Sequence, residues 1–586
     1  PYMNLITFNV DDRLINFKDQ KVLNKKKNLL FSYACQHNKE FKKKSKNKIA
    51  NVFNFENIKE IPYSYKCLEK AYDETLTYLK DCLNKAHNKN YSKHYWEILV
   101  GKWLVTLIHQ TFANWEILKK IKRKYPIKAI YKIPLSGEEF IPQNTWHAHI
   151  LTRSSEYKYN LFHHWLLTEM SAEKKIKTIN LRLKKNLNLK SKILKLSKPS
   201  KYHSIIYKSL NNKIFYYLWD VPREIKLKAM KYFKFINIFL KLKKFKINNS
   251  QKFDRKKIFI YKKKKSVNYK SFLIKIMKFT FPKIYLENYN TLEINYKKLN
   301  WPNNPKYILT SYPYYDELFK YYCAQKYETG SKILLTQHGS DNIYKYDNWH
   351  VNSMYTNQLC WGKYNKKGYH EFIFTKNYAY KKGKFVFSKN KKILLILYSF
   401  TEMENRSPEG YMDNMSINKR IFNSTSVYLN SLIKKLQKKN TVKALQLTRY
   451  PILENSLKKK HKNLKFIKIK EPFKKVIYKY NLSIHFYLGT PFFESLYLNR
   501  PAIIIFDEKT NSRFDNKFLY YLKEFKKLNI CFESSHKAAD FINKNYSNLE
   551  NWWNSPKTQI IINKFRENFC RFSKNLDVEF ERLSKI

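Results

Sequence analysis

From residue 306 onward the chain alternates short apolar runs with amphipathic stretches, and that order is what most restricts its fold. Tyr307-Ile308-Leu309-Thr310-Ser311 reads as a strand ending in small polar residues. Tyr314 to Glu328 reads as a helix that stops at Gly330, and Ile333-Leu334-Leu335-Thr336 as the next strand. Strand, helix and strand at this spacing form a βαβ unit, so the two strands run parallel. A second series begins with the strand Lys392 to Ser399. A helix at about 417–438 follows, then a strand at 442–447, a short strand Phe466-Ile467-Lys468-Ile469 and a βα step from Leu482. Thr490 to Leu498 is the helix of that step and Pro501 to Phe506 the strand after it. The expected fold class is α/β, with two parallel-sheet domains facing a crevice.

Upstream, residues 1–170 read as mainly helical with a few strands. The segment Tyr95 to His109 is apolar nearly all round, as in a helix buried on most faces. Residues 171–275 are Lys-rich and irregular, ending near Lys262-Lys263-Lys264-Lys265. They read as a solvated insertion carrying some helices, with a polyanion-binding arm as the alternative. From about 536 the tail is helical and holds Trp552-Trp553-Asn554-Ser555-Pro556. The expected division is an N-terminal domain 1–385 with the insertion near 171–300, a second domain 386–545, and a helical tail 546–586 packing back on the body.

Hydrophobic residues make up 43% of the 586, which rules out global disorder. The net charge of +69 favours anionic partners. It also has a compositional reading, because abundant Lys, Asn, Ile, Tyr and Phe with only nine Gly is the profile of an A/T-rich genome. That reading is preferred to a dedicated nucleic-acid surface, since the aromatics follow buried strand and helix patterns. Seven cysteines without a CxxC spacing argue against metal clusters and a disulfide framework, and fit a reducing cytoplasm. The chain opens Pro1-Tyr2-Met3 with no signal-peptide pattern, and no uncharged run is long enough for a transmembrane helix. The expectation is a cytoplasmic protein, with peripheral contact at an anionic membrane left open.

Two places can carry chemistry. The strand Ile333–Thr336 runs straight into Gln337-His338-Gly339-Ser340, a scarce Gly beside a His at a strand's carboxyl end. A Gly there takes φ > 0 or lets a ligand approach, and the carboxyl edge is where open α/β sheets bind ligands. In Gly489-Thr490-Pro491-Phe492-Phe493-Glu494, Thr490 suits an N-cap and Pro491 the first helical position. The free amides and positive dipole end then suit a phosphate, and Glu494, one turn on, can accept from ribose or sugar hydroxyls. Arg449, after the 442–447 strand, can pair bidentately with a leaving phosphate, and Ser399 is a weaker candidate of the same kind. His147-Ala148-His149 with His163-His164 invites a metal reading. No Asp, Glu or Cys completes a set, and the flanking Trp146, Phe162 and Trp165 suggest packing, so neither metal nor cofactor is expected.

Several segments together resemble a family of bacterial transferases associated with surface-polysaccharide gene sets, which is GT-B glycosyltransferase-like. They are Tyr95 to Gly101, Thr336 to Ser340, Cys360-Trp361-Gly362, Thr490 to Pro501 and Trp552 to Pro556. The match spans most of the chain and is weakest over 171–300. Two positions depart from the family pattern: Ser340 stands where a second Gly is usual, and His485 where an acidic or small polar residue is expected. The resemblance implies two Rossmann-like domains and transfer of a sugar from a nucleotide-activated donor to a polysaccharide or lipid-linked acceptor. His338 would be the catalytic residue, as general base or as a cation on the departing phosphate. Gln337, Gly339, Ser340, Ser399, Arg449, Thr490 and Glu494 would bind the donor. Transfer of glycerol or ribitol phosphate is the alternative, and a basic nucleic-acid-binding protein the third class.

Overall fold

A computed structural model describes the chain apart from residues 1, 8–18, 20–22, 24–27, 32–46, 51–59, 154–156, 183–200, 210–212, 245–250, 261–267, 345–353, 356, 365–366, 377–383, 400–413, 447–451, 468–470 and 507–513. Three parallel sheets follow one another. The first has the order β3-β2-β1-β4-β5, from β1 (Met3–Ile6), β2 (Asn28–Leu30), β3 (Lys48–Ile49), β4 (Ile127–Lys132) and β5 (Lys177–Asn180). After β6 (Lys201–Ser209), the second runs β12-β11-β10-β9-β7, from β7 (Ile214–Tyr216), β9 (Tyr307–Thr310), β10 (Lys332–Thr336), β11 (Asn357–Cys360) and β12 (Tyr369–Glu371). The third runs β15-β14-β13-β16-β17-β18, from β13 (Lys392–Ser399), β14 (Asn440–Gln446), β15 (Lys465–Phe466), β16 (Tyr480–His485), β17 (Ala502–Ile505) and β18 (Cys531–Phe532). β6 and β8 (Phe235–Lys244) make a separate antiparallel ribbon.

The second and third sheets are the two βαβ series read from the sequence. The first is an addition to that reading, because its strands are two to six residues long and too short for a periodic signal. β7 corrects a second expectation. It comes from the stretch read as a solvated insertion, yet it pairs with β9 at Phe215↔Ile308 and completes the second sheet.

The helices that matter below are α1 (Glu60–His87), α2 (Lys93–Lys124), α3 (Arg223–Tyr232), α4 (Glu317–Glu328), α5 (Thr490–Tyr497), α6 (Pro556–Phe569) and α7 (Leu576–Ser584). α2 is buried over most of its 32 residues, as its all-round apolar sequence requires. α4 starts at Glu317 rather than Tyr314, because Asp316 caps it by accepting from Phe319 N at 2.9 Å. Gly330 sits just beyond its end with φ 93°.

Alternation along the second sheet divides its two faces. Phe215, Ile308, Ile333 and Leu335 join one core with α1, α2 and the first sheet. Ile214, Tyr216, Leu309 and Leu334 join another with α3 and with Leu576, Phe580 and Leu583 of α7. The third sheet has its own core, which draws in Trp361, Phe374 and Phe385 from the segment leading to it. The chain thus crosses from the second sheet to the third near 361–376 and returns through α7. Among the described residues no helix is long and apolar enough to cross a membrane.

Candidate functional site

The site begins with a turn that the chain could not make cheaply. Between β7 and α3, Leu218 holds φ 51°, the left-handed region that a branched side chain rarely occupies. Bonds on both sides hold it there: Tyr217 N–H donates to Leu309 O at 3.1 Å and Ser311 N–H to Leu218 O at 3.0 Å. Trp219 Nε1 donates to Thr336 Oγ1 at 2.8 Å, and Asp220 N–H to Ser311 Oγ at 3.0 Å. The strained turn therefore fixes the Asp220 carboxylate against the carboxyl ends of β9 and β10.

His338, two residues past β10, meets it there. Its Nδ1 lies 2.9 Å from Asp220 Oδ2, and Lys376 Nζ donates to the same oxygen at 2.6 Å. With its proton on Nδ1, His338 donates to Asp220 and leaves Nε2 as a free base. His338 is 42% exposed, and Tyr312 packs edge-on against it at 4.4 Å between ring centroids. Hydrogen bonds from His338 and then Lys376 hold the Asp220 carboxyl well below the usual carboxylate range, despite its partial burial. Asp220, His338, Lys226 and Tyr312 line an open cavity of about 600 Å³, walled by Tyr216, Tyr217 and Trp219.

Of the other residues read in this turn, Gln337 is spent on holding it. Its Oε1 accepts from Trp361 N at 2.8 Å and Asn342 Nδ2 at 3.1 Å, and its Nε2 donates to Gly339 O at 2.7 Å. The described glycines with positive φ are Gly137, Gly330 and Gly368, so a left-handed backbone is not what Gly339 supplies. Ser340 is buried and opens the short helical turn Ser340–Ile343.

On the third sheet, α5 starts one residue earlier than its sequence suggests. Gly489 is the N-cap and Thr490 the first helical residue, with no side-chain cap. Glu494 is half-buried a turn further on. Burial raises its carboxyl to about 7, although Lys376 and Lys474 both pull it down. Lys376 therefore bonds Asp220 beside the second sheet, and its charge, with that of Lys474, also acts on Glu494 at the third. Ser399 ends β13, but its side chain lies outside the described residues, as does all of Arg449.

His485, one of the two departures, packs beneath α5. Its Nε2 is 2.9 Å from Ser483 Oγ and 3.4 Å from Ser495 Oγ, and burial lowers it to about 3. It is a neutral strut for the helix. The histidines considered for metal are likewise engaged: His164 lies 2.7 Å from Thr7 Oγ1 and accepts from Ile133 N, and His147 accepts from Gln143 N. Among the described residues no group of three or more His, Cys, Asp or Glu could hold a metal ion.

Sequence reasoning missed Asp220 and Lys376. Asp220 closes the aromatic run Ile214-Phe215-Tyr216-Tyr217-Leu218-Trp219, and an acid at the end of such a run was the available signal.

Residues 14–583 match the family model described as "LIC12162 family transferase". No curated protein matches the chain. Among solved structures, the wall teichoic acid polymerase TagF is 9% identical, with 50% of this chain and 82% of that one covered at a TM-score of 0.28. MurG from Acinetobacter baumannii is 10% identical over 51% and 80%, at 0.29. WaaG, a glycosyltransferase involved in lipopolysaccharide biosynthesis, is 11% identical over 47% and 77%, at 0.25.

Proposed function

The chain belongs to the LIC12162 family of transferases, and we propose that the group it moves is a sugar, carried from a nucleotide-activated donor to a polysaccharide or lipid-linked acceptor. The observation that carries this reading is the His338–Asp220–Lys376 cluster at the carboxyl edge of the second sheet, with Lys376 also in the field of Glu494. The GT-B arrangement fits it: the acceptor sits against the second sheet in the N-terminal domain, and the donor against the third, within 386–545.

In this mechanism His338 Nε2 takes the proton of the acceptor hydroxyl, while Asp220 keeps the other ring nitrogen protonated and the imidazole oriented. The acceptor oxygen bonds to the anomeric carbon as the bond from that carbon to the donor phosphate breaks. Lys376 and the amino end of α5 at Thr490 meet the charge on the leaving phosphate, with Arg449 as a further partner. Glu494 near half-protonation can both accept from and donate to donor hydroxyls. Reaction at the cytoplasmic face of a membrane, aided by the net charge of +69, belongs to the same reading.

Thermal shift with a panel of UDP, GDP, CDP and CMP compounds tests it. At least one nucleotide sugar raises the melting temperature, and no shift with any of them overturns the reading. Stabilisation by CDP-linked polyols and by no nucleotide sugar would instead support transfer of glycerol or ribitol phosphate. His338→Ala lowers transfer by about 10²–10⁴, and Glu494→Ala abolishes it through the donor.

A further inference from the structure

We propose that the cavity beside His338 takes an acidic sugar, a ring bearing a phosphate or a carboxylate, and that Lys226 is the residue that selects for the anion. The proposal rests on the reading of this cavity as the acceptor side of a sugar transfer.

The charges in the cavity wall do not balance. Asp220 is its one acid, and it is already shared by two partners, His338 Nδ1 at 2.9 Å and Lys376 Nζ at 2.6 Å on the same oxygen. Lys226, in the first turn of α3, also lines the cavity and is half-buried. Among the described residues no carboxylate lies within ion-pair distance of its ammonium. Burial lowers its proton affinity and Asp220 restores only part of it. The cavity therefore carries more cation than it neutralises, which costs free energy until an anion arrives. A neutral ligand would leave that cost in place, whereas a phosphate or carboxylate gains a charge-assisted hydrogen bond. An ammonium serves either anion, because it is a compact point charge with no required fork geometry.

The rest of the wall suits a sugar ring. Tyr216, Tyr217 and Trp219 are buried in the wall, while Tyr312 is 44% exposed beside His338 and offers its ring to the ligand. A pyranose has an apolar face of C–H groups for such a ring and hydroxyls at its edge for His338. Leu218, strained at φ 51°, lies in the same wall. The strain and the unneutralised lysine thus belong to one turn–helix unit, as expected of a segment shaped for a ligand.

The test uses the full chain with glucose 6-phosphate, glucuronic acid and glucose as probes, read by calorimetry or ligand-observed NMR. Wild type, Lys226→Met, Lys226→Arg and Lys85→Met (an exposed lysine of α1, as a control for the general charge) are compared. Lys226→Met weakens one or both acids by about tenfold or more, Lys226→Arg restores most of the loss, and Lys85→Met changes little. Glucose binds weakly to all four. Equal binding of the acids to wild type and Lys226→Met overturns the proposal, as does glucose binding as tightly as the acids. Matching melting temperatures establish that Lys226→Met is folded. Nucleotide shifts on the same proteins separate the two readings. Acids held through Lys226 without any nucleotide shift overturn the donor reading and leave the acidic subsite standing. Nucleotide shifts together with acid binding that does not depend on Lys226 overturn the subsite alone.

Discussion

Glu494 carries a pH dependence whose sign follows from its surroundings. Burial raises its carboxyl in the folded chain to about 7, against an ordinary value near 4.5. The folded state therefore holds a proton that the unfolded chain has released between those values. The stability this adds is full below about 4.5 and is lost as the pH rises to about 7. Ionisation of Glu494 costs on the order of 3 kcal/mol at most above that window. Glu494→Gln, which stays neutral, is expected to be more stable than the wild type at pH 8 and nearly equal at pH 4, as thermal melts at the two values will show. Asp220 acts at the same scale but through orientation. Asp220→Asn replaces the acceptor-only carboxylate that fixes the His338 tautomer with an amide that can present N–H₂ to Nδ1, so transfer falls by about 10-fold or more while nucleotide shifts are unchanged. Equal transfer by Asp220→Asn and wild type would remove Asp220 from the mechanism. His338 and Glu494 stand out in the sequence as candidates because each lies beside its own local signal, a strand end or a helix start. Asp220 and Lys376 do not, because their role exists only once β7 and the crossing segment are brought to β10.

The far end of α5 shows what the remaining sequence motifs do. Asn499 lies just past the helix at φ 52°, and its Oδ1 accepts from Trp553 Nε1 at 3.0 Å, Arg566 Nη2 at 3.0 Å and Gln559 Nε2 at 3.2 Å. Trp552-Trp553-Asn554-Ser555-Pro556 is therefore a structural lock: Trp553 and α6 fasten α5, Ser555 caps α6, and Asn554 holds Phe385. The spacing of these motifs marked them as belonging together. Their purpose stayed hidden because the bonds join positions that only the third sheet's core brings into contact. Asn499→Ala loses both the bonds and the tolerance of Asn for a left-handed backbone, at a cost of about 2–4 kcal/mol. Asn499→Gly loses only the bonds and should be milder by about 1 kcal/mol. Urea unfolding followed by tryptophan fluorescence distinguishes them, and equal costs would show that backbone conformation contributes nothing at this corner.

Across the whole molecule two long-range effects compete, a tail that ties the sheets together and a charge that pushes them apart. Arg571 N–H donates to Trp361 O at 2.7 Å, its side chain pairs with Glu371 at 2.7 Å and with Glu579 of α7, and α7 packs against α3 behind the cavity. Glu579 is 1% exposed and without Arg571 keeps only the half-exposed Arg582 at 3.8 Å, so Arg571→Ala is expected to cost up to about 3–5 kcal/mol. Early hydrogen exchange in α7 would report that release. The opposing effect is a net charge of +69. Its self-repulsion is screened as the Debye length falls from about 10 Å at 0.1 M salt to about 3 Å at 1 M, so the melting temperature rises with salt. The same field attracts any polyanion, and this is where composition could be mistaken for function. Contact with an oligonucleotide releases counterions, and log affinity falls against log salt with a slope of about −0.7 for each phosphate neutralised. A nucleotide sugar engages only a few phosphate charges within a shaped site, so its binding declines far less over the same range. Between about 0.05 and about 0.5 M NaCl, oligonucleotide binding is expected to vanish while the nucleotide shift persists. The reverse result, an oligonucleotide complex that survives high salt and a nucleotide shift that does not, would move the protein out of group-transfer chemistry and make its charge the function.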